Sequence, residues 1–267
     1  MEPQAVIRQG RHVVANGIRQ HYIRVGSGKR PMLLLPGITS PAATWEFVAI
    51  ELAASSDVHV LDIRGRGLSQ QGAHLQYRLD DCAEDAADLL RRLDLAGADV
   101  LGHSMGARIA VRLARRFPEL VGRLVLVDPP VSGPGRRPYP IGLQYYLDSI
   151  AAVSDGRGYE EMKRSLPWAE EHLQVRMEWL PTCDPFAVAE SHRSFHEEDM
   201  HADLPGILAR TLLLHAEHGG TVSDADAAEI AAAIPACTAL RVDGAGHMIP
   251  WDRLDFFVRA VREFLTE

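Results

Sequence analysis

The amino-acid sequence predicts an α/β fold with a mostly parallel, doubly wound sheet and a helical segment inserted into it. Short apolar runs, such as PMLLL at residues 31–35 and VHVLD at residues 58–62, alternate with stretches of helical periodicity. Strands that alternate with helices favour parallel pairing through right-handed crossovers. The alternation stops near residue 129 and resumes at residue 211, which indicates an insertion. A length of 267 residues suits one large α/β domain of this kind.

Six segments are predicted as strands because they are short, apolar and bounded by turn residues. They lie at residues 31–35, 58–62, 98–101, 124–127, 211–215 and 239–242. Helices are predicted at residues 47–55, 81–93, 107–117, 224–234 and 254–265. In the second helix, Ala83, Ala86 and Leu90 follow the 3.6-residue spacing of an amphipathic helix.

The inserted segment, which we call the cap, is predicted at residues 134–205. It follows the strand at residues 124–127, the fourth of those assigned here and the sixth in the full sheet expected for this fold. It lacks strand signals and is expected to contain several helices. The remaining divisions are a first core part at residues 1–133 and a second at residues 206–267. Aromatic residues in the cap suit packing as well as substrate contact; they are Tyr145, Tyr146, Trp168, Trp179, Phe186 and Phe195.

Composition and charge exclude several classes of function. The net charge is −8 and no basic run stands out, so we expect no nucleic-acid partner. No apolar run approaches the roughly 18–20 residues of a membrane span, and the polar segment 1–17 does not resemble a signal peptide. Three scattered cysteines, Cys82, Cys183 and Cys237, suit neither a disulfide framework nor a zinc site. The expected location is therefore the cytoplasm.

The segment GHSMG at residues 102–106 is a G-x-S-x-G motif between an apolar strand and a helix. That context is what a nucleophile elbow needs, because small residues must flank a serine held in so tight a turn. We therefore expect Ser104 to be a catalytic nucleophile.

A serine nucleophile needs a base to take its proton and N–H donors to hold an oxyanion. His247 follows the last predicted strand in the glycine-rich segment GAGH, and a base after the serine in the chain matches this type of elbow. One donor is expected to be the N–H of Met105, directly after the serine. The other is expected to be the N–H of Ile38, in the loop after the first apolar strand.

Several segments together resemble the α/β-hydrolase superfamily along nearly the whole chain. They are LLLPGITSPAATW, LDIRGRGLS, GHSMGAR, LVLVDPP and GAGHMIPWD. Within that superfamily, the sequence is similar to the N-formylmaleamate deformylases of bacterial nicotinate breakdown. This narrower resemblance includes the entrance to the cap, VDPPVSGPGRRPYP, and not only the generic turns of the fold.

The acid of the expected triad departs from the usual superfamily pattern. The superfamily usually places it after the penultimate strand, where this sequence has Gly219. Asp224 and Asp226 follow in the predicted first turn of a helix, where acids are common. Asp128 ends the strand LVLVD, at the sheet edge where catalytic groups gather. The deformylase family also places its acid there, so the resemblance implies Asp128, with Asp224 or Asp226 as the alternative.

The resemblance implies a serine hydrolase that releases formate and maleamate from N-formylmaleamate without a metal or cofactor. The alternatives are an esterase or carbon–carbon bond hydrolase acting on another small degradation product, and a ligand sensor that keeps the fold. The substrate would be a small anionic amide. Arg136, Arg137 and Arg64 are the candidates for binding its carboxylate. Oligomeric state is left open.

Overall fold

The computed structural model describes residues 8–27 and 30–266. Residues 1–7 lie outside these ranges. The prediction that segment 1–17 is not a signal peptide therefore concerns residues that are partly outside the described structure. Eight described strands form one sheet in the order β1-β2-β4-β3-β5-β6-β7-β8. Their bounds are β1 Arg8–Ala15, β2 Ile18–Val25, β3 Arg30–Leu35, β4 Ser56–Asp62, β5 Ala98–His103, β6 Val121–Val127, β7 Arg210–Ala216 and β8 Cys237–Val242.

Parallel pairing joins β3 to β4 and to β5, and continues from β5 through β6 and β7 to β8. The six predicted strands correspond to β3 through β8, and the prediction of a mostly parallel sheet is confirmed. The carboxyl ends of parallel strands meet at one edge of the sheet, where ligand sites of open α/β folds form.

The first two strands form an antiparallel hairpin that the sequence analysis did not assign. It turns at Asn16 and Gly17, which both adopt positive φ, 48° and 72°. Asn-Gly is a strong hairpin signal because both residues tolerate this region of backbone space. The hairpin extends the sheet beyond β4 through antiparallel pairing of β2 with β4.

Ten helices occur among the described residues and flank the sheet or form the cap. Their bounds are α1 Glu46–Leu52, α2 Leu79–Arg92, α3 Met105–Arg116, α4 Leu143–Ser154, α5 Gly158–Ser165, α6 Glu170–Trp179, α7 Pro185–Glu197, α8 Asp224–Ala233, α9 Ile249–Asp252 and α10 Leu254–Thr266. The five predicted helices correspond to α1, α2, α3, α8 and α10. Short 3₁₀ turns connect several of these elements.

The core consists of two apolar layers, one on each face of the sheet. Successive residues of β3 alternate between them: Leu33 and Leu35 face α2 and α3, whereas Met32 and Leu34 face α1 and α10. Both faces are covered by helices, which is why the central strands are apolar throughout.

Helices α4, α5, α6 and α7 lie between β6 and β7, within the predicted cap. The insertion after the sixth strand is therefore where the sequence analysis expected it, whereas the exact divisions at residues 134 and 205 stay a prediction. Within the described part of the chain, no helix combines the length and the apolar character needed to cross a membrane.

Candidate active site

Ser104 occupies a strained turn between the end of β5 and the start of α3. Its φ and ψ are 54° and −119°, a conformation that residues other than glycine rarely adopt. The turn requires glycine on both sides. A Cβ on Gly102 would lie 2.3 Å from the Gly106 carbonyl oxygen, and one on Gly106 would lie 1.9 Å from the Leu35 oxygen. This tight turn places the serine at the carboxyl edge of the sheet.

His247 lies in the loop between β8 and α9 and faces Asp128. Its Nδ1 is 2.6 Å from Oδ2 of Asp128, whose side chain is fully buried. Asp128 directly follows β6 and also has a positive φ, 45°. A hydrogen bond at Nδ1 leaves Nε2 of His247 as the nitrogen free to exchange a proton with a substrate or a serine.

The Asp128 carboxylate is held by several donors besides His247. The Thr221 backbone N–H donates to Oδ2 at 2.7 Å and its hydroxyl at 3.2 Å, and the Ala216 N–H lies 3.4 Å from Oδ1. Burial raises the pKa of Asp128, but the hydrogen bonds from His247 and the two backbone groups outweigh it, so the pKa lies below its ordinary value. The group is therefore a fixed anion.

The two alternative acids are engaged elsewhere. Asp226 caps α8 through Ser223 and forms an ion pair with Arg137. Asp224 is exposed, with Oδ2 3.6 Å from Arg241. Both lie in the first turn of α8, as predicted, and neither contacts His247.

Of the two residues expected to donate to the oxyanion, Met105 directly follows the serine and Ile38 lines the same cavity. Met105 is the first residue of α3, so its N–H has no partner within the helix. The carbonyl of Ile38 accepts a 2.9 Å hydrogen bond from Nε of the fully buried Arg66, which restrains this residue. Arg66 also donates to Ser191 of α7 at 3.0 Å, so one side chain joins the oxyanion loop to the cap.

A cavity of about 200 Å³ lies over Ser104 and His247. Core loops form one wall and the cap forms the other. The lining residues are Gly37, Ile38, Thr39, Ser40, His103, Ser104, Ile141, Tyr145, Tyr146, Leu166, Trp168, Arg176, His247 and Met248. None of these is a carboxylate, and Arg176 is the one guanidinium among the described lining residues. The volume is below the 300–1,000 Å³ typical of sites for drug-sized ligands, so the cavity suits a small substrate.

The structure does not bring the three sequence-predicted carboxylate ligands to this cavity, because each pairs with an acid of the protein. Arg64 is buried and donates two 2.6 Å hydrogen bonds to Asp85. Arg136 pairs with Glu229 at 2.5 Å. Arg137 pairs with Asp226 at 2.6 Å and donates to the Thr221 carbonyl. Their guanidinium groups are therefore already neutralised.

Arg176, which the sequence analysis missed, is placed where those arginines were expected. It lies on α6, in the sequence EEHLQVRMEW, where no motif or flanking glycine marks it. Its proximity to the serine arises only from the docking of the cap on the core. No sequence pattern of the kinds used above would have found it.

His103, next to the serine, is buried and contributes to the position of His247. Its Nε2 lies 3.0 Å from the His247 carbonyl oxygen, and the two rings are 4.9 Å apart. Burial, with the nearby His247, lowers the pKa of His103 to about 3, so the ring stays neutral and can donate this hydrogen bond.

Gly220 provides a test of how closely Asp128 must be positioned. A Cβ at Gly220 would lie 2.8 Å from Oδ1 of Asp128, whose carboxylate cannot move without losing its hydrogen bonds. We expect Gly220→Ala to lower kcat by about 10- to 100-fold, because small displacements of a catalytic group are costly. Steady-state kinetics of the folded variant measures this.

Gly219→Ala is the matched control in the same loop. Gly219 has a φ of 63°, and a Cβ there would meet nothing within 4 Å. We expect a loss of stability of about 1 kcal/mol from the backbone strain and an unchanged kcat. Equal kcat losses in the two variants would contradict the assigned contact between Gly220 and Asp128.

Among residues 8–27 and 30–266, no group of three or more His, Cys, Asp or Glu side chains is arranged to hold a metal ion. The polar groups at the cavity suit acyl transfer: a strained serine, and a histidine bonded to a buried carboxylate.

Comparisons with known proteins agree with this geometry. Residues 30–254 match the family profile described as alpha/beta hydrolase fold. The chain is 48% identical over 257 residues to N-formylmaleamate deformylase from Pseudomonas putida, with 96% of each chain covered. It is also 39% identical to 2-hydroxymuconate semialdehyde hydrolase from a Pseudomonas species, over 129 residues that cover 47% of this chain and 45% of that protein.

A crystal structure of N-formylmaleamic acid deformylase from Pseudomonas putida S16 matches with a TM-score of 0.88 and 48% identity. The match covers 95% of this chain and 100% of that one. The profile thus covers most of the chain and the deformylase nearly all of it. The chain therefore belongs to the α/β-hydrolase family.

Proposed function

We propose that this protein hydrolyses N-formylmaleamate to maleamate and formate, as a serine hydrolase of nicotinate degradation. The observation that carries the chemistry is the Asp128–His247 hydrogen bond beside a strained serine in one small cavity. The substrate is supported by 48% identity to N-formylmaleamate deformylase over 96% of the chain. The small cavity, with one guanidinium in its wall, suits a compact anionic amide.

The first half of the reaction forms a formyl-enzyme. His247 takes the proton of the Ser104 hydroxyl as the oxygen attacks the formyl carbon, and the Ile38 and Met105 N–H groups hold the resulting oxyanion. Asp128 fixes the tautomer of His247 and stabilises the imidazolium. The carbon–nitrogen bond then breaks and His247 protonates the departing nitrogen, which gives maleamate. That nitrogen is already acylated, so it leaves more readily than an amine.

The second half regenerates the serine. A water molecule gives its proton to His247 and attacks the formyl ester, and the same N–H donors hold the second oxyanion. Collapse breaks the bond between the formyl carbon and the Ser104 oxygen, which takes the proton back from His247. The product is formate, and the sum is one water consumed for each amide bond cleaved.

We also propose that the enzyme acts in the cytoplasm. Cys82, Cys183 and Cys237 are all free thiols in the structure. Free cysteines without a disulfide are typical of a reducing compartment. Fractionation of cells that produce the protein, with activity assayed in each fraction, tests this proposal.

A substrate screen tests the proposed activity against its alternatives. Purified protein is incubated with N-formylmaleamate, with p-nitrophenyl esters and with a ring-cleavage diketone, and formate and maleamate are measured directly. We expect equal amounts of formate and maleamate, and a kcat/KM for N-formylmaleamate about 100-fold or more above the others. Faster turnover of an ester or diketone would instead support the hydrolase alternatives, and binding without turnover would support a sensor.

A further inference from the structure

We propose that Arg176 binds the carboxylate of the substrate and thereby makes this active site selective for small carboxylic acids. The inference rests on the proposed function, which it deepens by assigning the residue that recognises the anionic end. Arg176 projects from α6 of the cap into the wall of the cavity that contains Ser104 and His247.

The Arg176 side chain has unused hydrogen-bonding capacity. Its two terminal nitrogens make only long contacts, 3.3 Å to the Thr39 carbonyl and 3.4 Å to the Thr39 hydroxyl. Its Nε is shielded from solvent and has no partner among the described residues. A guanidinium presents five N–H donors in a planar fork that matches a carboxylate. Most of that fork is therefore free for a ligand.

No carboxylate among the described residues neutralises this cation. The charges and dipoles acting on it come from Cys183, Tyr145 and Tyr146, and desolvation lowers the pKa of Arg176 below its ordinary value. Its guanidinium carbon lies 5.9 Å from the centre of the Trp168 ring, which limits its movement on one side. A partly buried cation without an anion is costly, and an anionic ligand would remove that cost.

Two fully buried arginines, Arg66 and Arg108, illustrate a structural role in this chain. Arg66 donates to the Ile38 carbonyl at 2.9 Å and to the Ser191 hydroxyl at 3.0 Å. Arg108 donates to the carbonyls of Ser132 and Glu198, both at 2.7 Å, and to that of Pro130 at 2.9 Å. The Nε of Arg108 also lacks a partner, so the distinction lies in the terminal nitrogens. Those of Arg108 make three short hydrogen bonds, whereas those of Arg176 make none shorter than 3.3 Å.

The position of Arg176 fits the length of the substrate. Its only hydrogen-bond partner in the protein, among the described residues, is Thr39, which directly follows the oxyanion donor Ile38. In N-formylmaleamate, four atoms separate the formyl carbon from the carboxylate carbon, and the cis double bond folds the two ends towards each other. A molecule whose formyl oxygen lies at the Ile38 N–H can therefore place its carboxylate near Arg176. A carboxylate that is remote from the reacting bond contributes to binding throughout the reaction.

Replacement of Arg176 by methionine tests this assignment through both kinetics and stability. We expect the KM for N-formylmaleamate to rise about 100-fold in Arg176→Met with a much smaller change in kcat. The wild-type preference for the free acid over its methyl ester should fall to near unity. Arg176→Lys keeps the charge but loses the fork, so its KM should lie between the two.

Stability separates a binding role from a structural one. Methionine removes an unpaired, partly buried charge, so Arg176→Met should melt at the wild-type temperature or above. Arg108→Met, which removes three short hydrogen bonds, should melt lower. The surface variants Arg136→Met and Arg137→Met should leave KM unchanged. An unchanged KM in Arg176→Met, or a fall in its melting temperature like that of Arg108→Met without loss of acid preference, would overturn the proposal.

A binding measurement distinguishes failure of this inference from failure of the proposed function. Calorimetry with maleate, which has no formyl group, needs no turnover. If wild-type protein releases no formate from N-formylmaleamate, the proposed function fails, yet maleate should still bind wild type and not Arg176→Met. Equal maleate binding by both proteins, or none by wild type, would contradict the assignment of Arg176.

Discussion

Replacing Ser104 by alanine is expected to lower kcat for N-formylmaleamate by about 10⁴- to 10⁶-fold while substrate still binds. Only the hydroxyl group is removed, and the oxyanion donors and Arg176 stay in place. The residual rate should come from those groups acting on a water molecule. Formate release under single-turnover conditions measures the loss, and calorimetry measures the retained binding.

The backbone of Ser104 supplies a control for this variant. Alanine keeps the Cβ and hence the strain at a φ of 54°, whereas glycine relieves it. Ser104→Gly should therefore be equally inactive and melt at a temperature no lower than Ser104→Ala. If Ser104→Ala retained activity within about tenfold of wild type, Ser104 would not be the nucleophile.

Replacing Asp128 by asparagine is expected to lower kcat by about 10³- to 10⁴-fold. A neutral amide leaves the imidazolium of His247 without an anion, and in one orientation it presents an N–H to Nδ1, which favours the wrong tautomer. A loss of about 10⁴ has precedent for this change in another serine-hydrolase fold. Asparagine tolerates the φ of 45° at this position, so the variant should fold.

Asp224→Asn and Asp226→Asn are the matched controls for Asp128→Asn. Both should keep kcat near the wild-type value, and Asp226→Asn should lose about 1 kcal/mol of stability through its helix cap. Each variant is first checked for folding by circular dichroism. If Asp224→Asn lost activity while Asp128→Asn kept it, the acid would lie at the position usual for the superfamily.

Most of the fold could be predicted because its signals are local. The strands β3 through β8 are apolar runs bounded by turns, and the five core helices carry the helical period. The hairpin of β1 and β2 was not assigned because its strands are polar on their exposed faces, as in RQGRHVVA. The turn at Asn16 and Gly17 was the signal that could have revealed it.

In the candidate site, too, the residues with local sequence signals could be predicted and the others could not. Ser104 and His247 lie in glycine-bounded turns whose geometry depends on neighbouring residues, so the motifs predict their positions. Asp128 needed the family resemblance in addition, because the sequence offers other acids. The carboxylate ligand was not predictable, because it depends on contacts between distant segments. Arg136 and Arg137 lie at the cap entrance but form ion pairs with acids about 90 residues later in the sequence. Arg176 forms no ion pair with a described residue.

Trapping of the formyl-enzyme tests the central claim most directly. Wild-type protein turns over N-formylmaleamate in the presence of hydroxylamine, and maleamate, formate and formohydroxamate are measured together. We expect formohydroxamate to replace formate as hydroxylamine increases, while the rate of maleamate release does not fall, because both products arise from one formyl-enzyme on Ser104. Ser104→Ala should give neither product above background. The formyl-enzyme would be contradicted if wild-type protein released maleamate together with formate alone, and no formohydroxamate, at every hydroxylamine concentration.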